Sequence, residues 1–260
     1  MEVLTPRSLA EALELKAQHP DALPLQGGTD VMVAMNFDRT RPGAVINLNE
    51  VPELRGWSRE NGALRLGAGL TYTEAMRGEL ASLLPTLAEA ARTVGSPQIR
   101  NRGTIGGNLG TASPAGDALP PLHVEGAEIE CVSVRGSRRL PLAEFVTGVK
   151  RTALAPDELI GAVWVTPSGQ PQTFMKVGPR NAMVIAVVSL AVSAGEELRA
   201  SFGSAGPRPV LVTAPREEAD TFPERVASAA SPIDDVRGSA AYRRHALRVL
   251  TRRALERTLA

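Results

Sequence analysis

One cysteine, Cys131, occurs in 260 residues. Intramolecular disulfides are excluded, as is any cysteine-rich zinc or iron–sulfur centre built from this chain alone. Cys131 lies in Glu128-Ile129-Glu130-Cys131-Val132-Ser133-Val134, which alternates like a strand, so a buried structural thiol is expected rather than a nucleophile. Lysine is nearly absent too, at three among 29 basic residues. Basic and acidic side chains balance to a net charge of +1. That balance argues against a nucleic-acid-binding surface over the whole molecule. The longest apolar stretch, residues 182–194, falls short of the roughly 20 residues of a membrane span and carries Ser189 and Ser193. Met1-Glu2-Val3-Leu4-Thr5-Pro6 has neither a basic nor an apolar region of a signal peptide, so a cytoplasmic protein is expected.

What is present reads as alternating helices and strands. Ser8-Leu9-Ala10-Glu11 has the form of a capping box, with Leu9, Leu13 and Ala17 at helical spacing up to Pro20. Leu23-Pro24-Leu25 leads into Gly27-Gly28, and Thr29-Asp30 reads as the cap of a helix over residues 31–35. Strands are expected at 44–48 and 63–68, and Thr71 to Glu74 caps a following helix. A longer helix is expected over 82–94, then an irregular but ordered functional stretch over 95–121. Further strands are expected at 127–134, 138–142 and 158–165. Pro167-Ser168-Gly169-Gln170-Pro171 marks a boundary. Beyond it, strands are expected at 173–177, 184–192 and 198–202, and the last 20 residues form an amphipathic helix. Leu247, Leu250, Ala254 and Leu255 take one side of it, and Arg243, Arg244, Arg248, Arg252, Arg253 and Arg257 the rest, a solvated face or else a docking surface for an acidic partner. This order is α/β in class, with domains at 1–166 (subdomains 1–56 and 57–166) and 172–260.

Two glycine-rich loops carry the chemistry. Gln26-Gly27-Gly28-Thr29-Asp30 stands between a strand and a helix, where glycines let the backbone approach a ligand and free N–H groups attract anionic oxygens. Ile99-Arg100-Asn101-Arg102-Gly103-Thr104-Ile105-Gly106-Gly107-Asn108 adds clustered donors, a hydroxyl, an amide and two cations. Neither loop is a P-loop, and no G-x-G-x-x-G turn occurs, so a Rossmann site is not supported. Taken alone, the first loop reads as a structural turn; two separate loops converging on one diphosphate is the sharper reading, and it implies a dinucleotide such as FAD.

Together with Ala112-Ser113-Pro114-Ala115-Gly116-Asp117, these loops resemble the FAD-binding subunit of molybdenum hydroxylases, the family of the carbon monoxide dehydrogenase medium subunit and the xanthine dehydrogenase flavin domain. Phe174-Met175-Lys176-Val177-Gly178 and residues 237–244 resemble that family's C-terminal flavoprotein domain. The resemblance implies a vanillyl-alcohol-oxidase-type FAD-binding domain of two α/β subdomains plus a C-terminal α+β domain. It implies that Gln26, Gly27, Gly28, Thr29 and Asp30, with Thr104, Ile105, Gly106, Gly107 and Asn108, hold the pyrophosphate through backbone N–H groups. Asp117 would accept from a cofactor hydroxyl, or cap a helix. Leu159 or Ile160 would contact the adenine or the isoalloxazine. Lys176 would stand near the flavin, where a cation stabilises the anionic reduced form, or be an ordinary surface amine. Residues 177–183 hold no aromatic side chain to stack on the ring, leaving Val177, Arg180 or Asn181 to cover it. No His or Cys lies in either loop, so FAD would be non-covalent. His19, His123 and His245 read as ordinary core or surface residues. The resemblance further implies a molybdopterin-binding large subunit and a [2Fe-2S] small subunit as partners, with electrons passing through FAD to NAD, a quinone or another acceptor. A free-standing flavin oxidoreductase is the alternative.

Overall fold

The computed structural model describes all 260 residues. Three parallel strands begin the chain: β1 (Glu2–Leu4), β2 (Leu23–Leu25) and β3 (Ala44–Asn47), in the order β1-β3-β2. Parallel neighbours need crossovers. The helices α1 (Leu9–Gln18) and α2 (Val31–Asn36) lie in these connections. Ser8 caps α1 by accepting from the Glu11 N–H at 3.2 Å, but Glu11 turns back to the Arg7 N–H instead of completing the box. Asp30 does not cap α2 with its side chain. That carboxylate is drawn away by the Thr111 hydroxyl, which donates to it at 2.9 Å.

The second layer is an antiparallel sheet of β4 (Trp57–Glu60), β5 (Ala63–Gly67), β6 (Glu128–Ser133), β7 (Gly136–Pro141) and, at its centre, the later strand Leu159–Val165. Between β5 and β6 run α3 (Tyr72–Ala75), α4 (Gly78–Leu83), α5 (Pro85–Thr93), α6 (Pro97–Arg102), α7 (Ile105–Thr111) and α8 (Leu119–Val124). The capping box at Thr71 and Glu74 forms in full. The helix expected over 82–94 is two helices, because Pro85 has no N–H to continue α4 and starts α5 instead. The stretch 95–121 is not irregular: Ser96 caps α6 and Thr104 caps α7, each accepting from the N–H three residues on.

After β7 come α9 (Leu142–Phe145) and a two-stranded ribbon of β8 (Val146–Gly148) and β9 (Arg151–Thr152). Central strand β10 (Leu159–Val165) is buried along its whole length, as an unbroken apolar run requires. Its register shifts between Ile160 and Ala162, a bulge centred on Gly161. Cys131 is buried on neighbouring β6, and burial pushes its thiol up to about 11, away from nucleophilic use.

The C-terminal part is a four-stranded antiparallel sheet of β11 (Gln172–Val177), β12 (Val188–Ala194), β13 (Glu197–Gly203) and β14 (Val210–Pro215), with α10 (Phe222–Ala229) and α11 (Ala240–Leu259). The strand expected at 184–192 starts later, since Val177 pairs with Val188 and residues 178–187 close the hairpin. Met183 has φ +50° and Ile185 is exposed there, so apolar composition alone misleads. Arg243 is not on a solvated face. It is fully buried, bonded to the Ser204 carbonyl and paired with Asp235 at 2.5 Å.

This sheet has two unlike faces. Leu190, Val192, Leu198, Ala200, Phe202 and Val212 pack on Phe222, Leu247 and Leu250 of the helices. The opposite face is mixed, with Ser189, Ser193 and Ser201 beside Phe174 and Ala191, and meets α5 and α8. Directional bonds seat it there. Glu89 accepts from the Phe174 N–H at 2.6 Å and the Thr173 hydroxyl at 2.9 Å, and Glu125 accepts from Gln172 and from the Ser168 N–H. His123 of α8 lies 3.1 Å from the Ser201 hydroxyl.

Burial, then the Arg199 charge, lowers His123 to about 4. Its folded value lies below the unfolded one near 6.5, so the unfolded chain binds more protons between these pH values. Stability should therefore fall by about 3 kcal/mol as pH drops from 6.5 to 4 and be fully present above 6.5. Urea denaturation across this range should show the slope in the wild type and its loss in His123→Gln; equal slopes would exclude a buried neutral imidazole.

Candidate FAD site

The expected site residues gather around α7. At its N-terminus, Ile105 N–H donates to the Leu70 carbonyl at 2.9 Å and Gly106 N–H to the Ala68 carbonyl at 2.8 Å. Gly106 is glycine for packing, because a Cβ there would stand 2.6 Å from Ala68. Gly107 differs: it is exposed, and a Cβ would meet only the Thr104 hydroxyl, at 3.0 Å. Gly107 N–H donates to that hydroxyl, and Asn108 N–H to the Thr104 carbonyl. Four of the five N–H groups from Thr104 to Asn108 are thus bonded within the chain, which corrects the expectation that this segment offers a row of free donors. What it offers is an open backbone surface at Gly107.

The free donors are on the first loop. None of the backbone N–H groups of Gly27, Gly28, Thr29 and Asp30 has an acceptor in the chain. Gly28 has φ +75°, which glycine adopts without strain. Gly27 is required by close approach, since a Cβ would overlap the Arg102 carbonyl oxygen. The loop is tied to α6 and α7 by Arg102, which donates to the Gln26 carbonyl, and by the Thr111–Asp30 bond.

Farther along α7, the Asn108 amide lies against Gly116, where a Cβ would come within 2.8 Å of it. Next along the chain, Asp117 is buried and paired with Lys176 of β11 at 2.6 Å; Lys176 also donates to the Thr93 carbonyl at 3.3 Å. Lys176 is therefore no surface amine, and Asp117 caps no helix with its side chain. Burial holds the Asp117 carboxyl above the ordinary carboxylate range, with Lys176 offsetting it only in part. Ile160 reaches α7 from β10, its methyl 3.7 Å from where a Gly110 Cβ would be. Of the candidates to cover a flavin ring, Arg180 is turned onto the carbonyls of Ala182 and Met183 in its own loop.

The donor set fits FAD. Free N–H groups suit a diphosphate, and the buried oxygens Gln26 Oε1, Asn108 Oδ1 and Asp117 Oδ1 have no partner in the chain, as acceptors awaiting hydroxyl or amide donors would. Sequence reasoning missed Thr111, Asn49 and Tyr72. Burial, then the Asp117 and Asp30 carboxylates, pushes the Tyr72 phenol far up, so it stays neutral and able to donate. No sequence pattern marks Thr111 or Asn49, because Asp30 and Arg102, which they meet, are distant in the chain.

A small parallel sheet, an antiparallel sheet and two glycine loops meeting between them define a flavin-binding protein. The chain belongs to the family described as the FAD binding domain in molybdopterin dehydrogenase, whose model matches residues 1–167. It is 30% identical to the xanthine dehydrogenase FAD-binding subunit of Escherichia coli O157:H7, covering 97% of this chain and 94% of that one. It is also 30% identical to the carbon monoxide dehydrogenase medium chain of Afipia carboxidovorans, covering 98% and 95%. Among solved structures, carbon monoxide dehydrogenase from Hydrogenophaga pseudoflava superposes with a TM-score of 0.91 at 26% identity, over 100% of this chain and 97% of that one. The fold is therefore the FAD-binding fold of the carbon monoxide dehydrogenase medium chain, and the protein is an oxidoreductase component whose cofactor is FAD.

Proposed function

We propose that this chain is the electron-transfer subunit of a molybdenum hydroxylase, taking electrons from a [2Fe-2S] partner subunit and passing them to an acceptor such as NAD or a quinone. The observation that carries this reading is the run of free N–H groups from Gly27 to Asp30 on a loop packed against Arg102 and Gly103, the start of the segment that leaves its backbone open at Gly107. In it, residues 1–166 form the FAD-binding domain and 172–260 the C-terminal domain that brings Lys176 to Asp117. Bound FAD would supply the redox chemistry. The chain's own residues bind and orient it. Gln26, Gly27, Gly28, Thr29 and Asp30 receive the diphosphate with Thr104, Ile105, Gly106, Gly107 and Asn108 beside them. Asp117 accepts through its free oxygen, Ile160 supplies apolar contact, and Lys176 pairs with Asp117 and fixes its side chain. A molybdopterin-binding large subunit completes the assembly, in the cytoplasm. No helix of this chain is long and apolar enough to cross a membrane.

The purified protein should be yellow and release FAD on acid or heat denaturation. Co-expressed with its iron–sulfur and molybdopterin partners, it should form a stable complex, and alone it should turn over no substrate. Full steady-state activity of the isolated chain would instead make it a free-standing flavin enzyme. A colourless protein that added FAD does not reconstitute would remove both.

A further inference from the structure

We propose that Arg102 is a positioning residue that sets the spacing of the two glycine loops. This rests on the FAD-binding reading of the site. The second glycine segment is already fixed to the turn between β5 and α3 by backbone bonds, from Ile105 N–H to Leu70 O, from Gly106 N–H to Ala68 O, and from Tyr72 N–H to Gly103 O at 3.1 Å. The first loop has no backbone bond to that segment. It also leaves the donors of Gly27 to Asp30 unspent. Its placement therefore depends on side chains.

Arg102 supplies the link at the Gln26 end. One guanidinium nitrogen, Nη2, donates both to the Gln26 carbonyl at 3.3 Å and to Asn49 Oδ1 at 3.0 Å. Asn49 is itself held by its Nδ2, which donates to Asn47 Oδ1 at 2.6 Å. The Arg102 carbonyl meets Gly27 so closely that no Cβ fits between them. The same residue thus limits the approach of the first loop through its backbone and holds the loop through its side chain. Thr111 performs the equivalent task for Asp30 at the other end. Between the two ties lie the four free N–H groups. Beside Arg102 a polar cleft of about 340 Å³, lined by Gln26, Asn49, Arg55, Glu74 and Asn101 among others, gives the guanidinium no apolar surface to rest on. Its anchorage comes from hydrogen bonds alone.

Preorganised donors bind an anion more tightly than donors that must first be collected. Removing the tie should therefore weaken FAD binding without removing a cofactor contact. The test is a double-mutant cycle on FAD dissociation constants, measured by flavin fluorescence quenching on apoprotein, with apoprotein melting temperatures alongside. Arg102→Ala should weaken FAD binding about tenfold, the loss of roughly one hydrogen-bonded tie. Asn49→Ala should weaken it in the same direction by less, and the double variant should bind no worse than Arg102→Ala. Arg102→Lys, shorter but cationic, should recover part of the loss. Apoprotein melting should stay close to wild type throughout, because Arg102 is exposed. Wild-type affinity in Arg102→Ala overturns the proposal. So does a large, steeply salt-dependent loss in Arg102→Ala with none in Asn49→Ala, which would make Arg102 a direct phosphate ligand. A wild-type protein that binds no FAD would instead count against the FAD reading itself.

Discussion

Replacing Gly107 by valine should leave a protein that folds but retains no FAD. Gly106 and Gly107 are adjacent and identical in composition, yet their surroundings differ. At Gly106 a side chain meets Ala68 at 2.6 Å; at Gly107 it meets one hydroxyl and otherwise open space. Valine at Gly107 therefore projects into the surface proposed for the diphosphate and does not disturb the core. The expected result is FAD binding weaker by about a hundredfold or more, roughly 3 kcal/mol, for lost close approach to a charged group. The apoprotein should melt within about 1 kcal/mol of wild type. Gly106→Ala should give the opposite pattern, a loss of about 1–3 kcal/mol in apoprotein stability from overpacking. Isothermal titration with FAD and urea denaturation of both variants separate the two. Wild-type FAD affinity in Gly107→Val would reduce this segment to a structural turn.

Lys176→Met should be the most destabilising single change at the site. Asp117 and Lys176 have side chains 9% and 5% exposed, and their separation is 2.6 Å. Removing the ammonium leaves a buried carboxylate without its counter-charge, at a cost of about 3–5 kcal/mol. The sign with pH follows from the same cause. Burial already raises the Asp117 value, and without Lys176 it rises further, so the folded variant holds a proton that the unfolded chain releases. Lys176→Met should thus be least stable at alkaline pH and recover as pH falls toward the ordinary carboxylate range. Adding Asp117→Asn removes the second charge and should restore much of the stability. Denaturation at pH 5 and pH 8 reads all three proteins; a pH-independent loss below about 1 kcal/mol would mean the pair is effectively solvated.

Much of this arrangement is legible in the chain itself, for reasons that are local. Thr71 to Glu74 is a complete capping box, and the apolar run of β10 reads as a buried strand. The glycine pairs announce close backbone approach. What escapes is set at long range. Glycines at 106 and 107 look alike until Ala68 arrives against one of them. Free donors cannot be told from spent ones by sequence, because Leu70 and Ala68 consume those of Ile105 and Gly106. Arg243 reads as one of many surface arginines, yet it is buried by a pairing with Asp235 from the preceding loop. Pro85 is the exception, a local signal that splits the helix expected over 82–94.

The two-faced sheet also bears on how the polypeptide avoids misfolding. Along β11, Met175 and Val177 point to the helices while Phe174 and Lys176 point to α5 and α8. A slip of one residue against β12 would exchange these sets and drive an ammonium group into the apolar layer under α11. Such a slipped chain would also lose the seating of Glu89 and Glu125. The charge at Lys176 thus penalises the slipped pairing and favours the native register of β11 against β12.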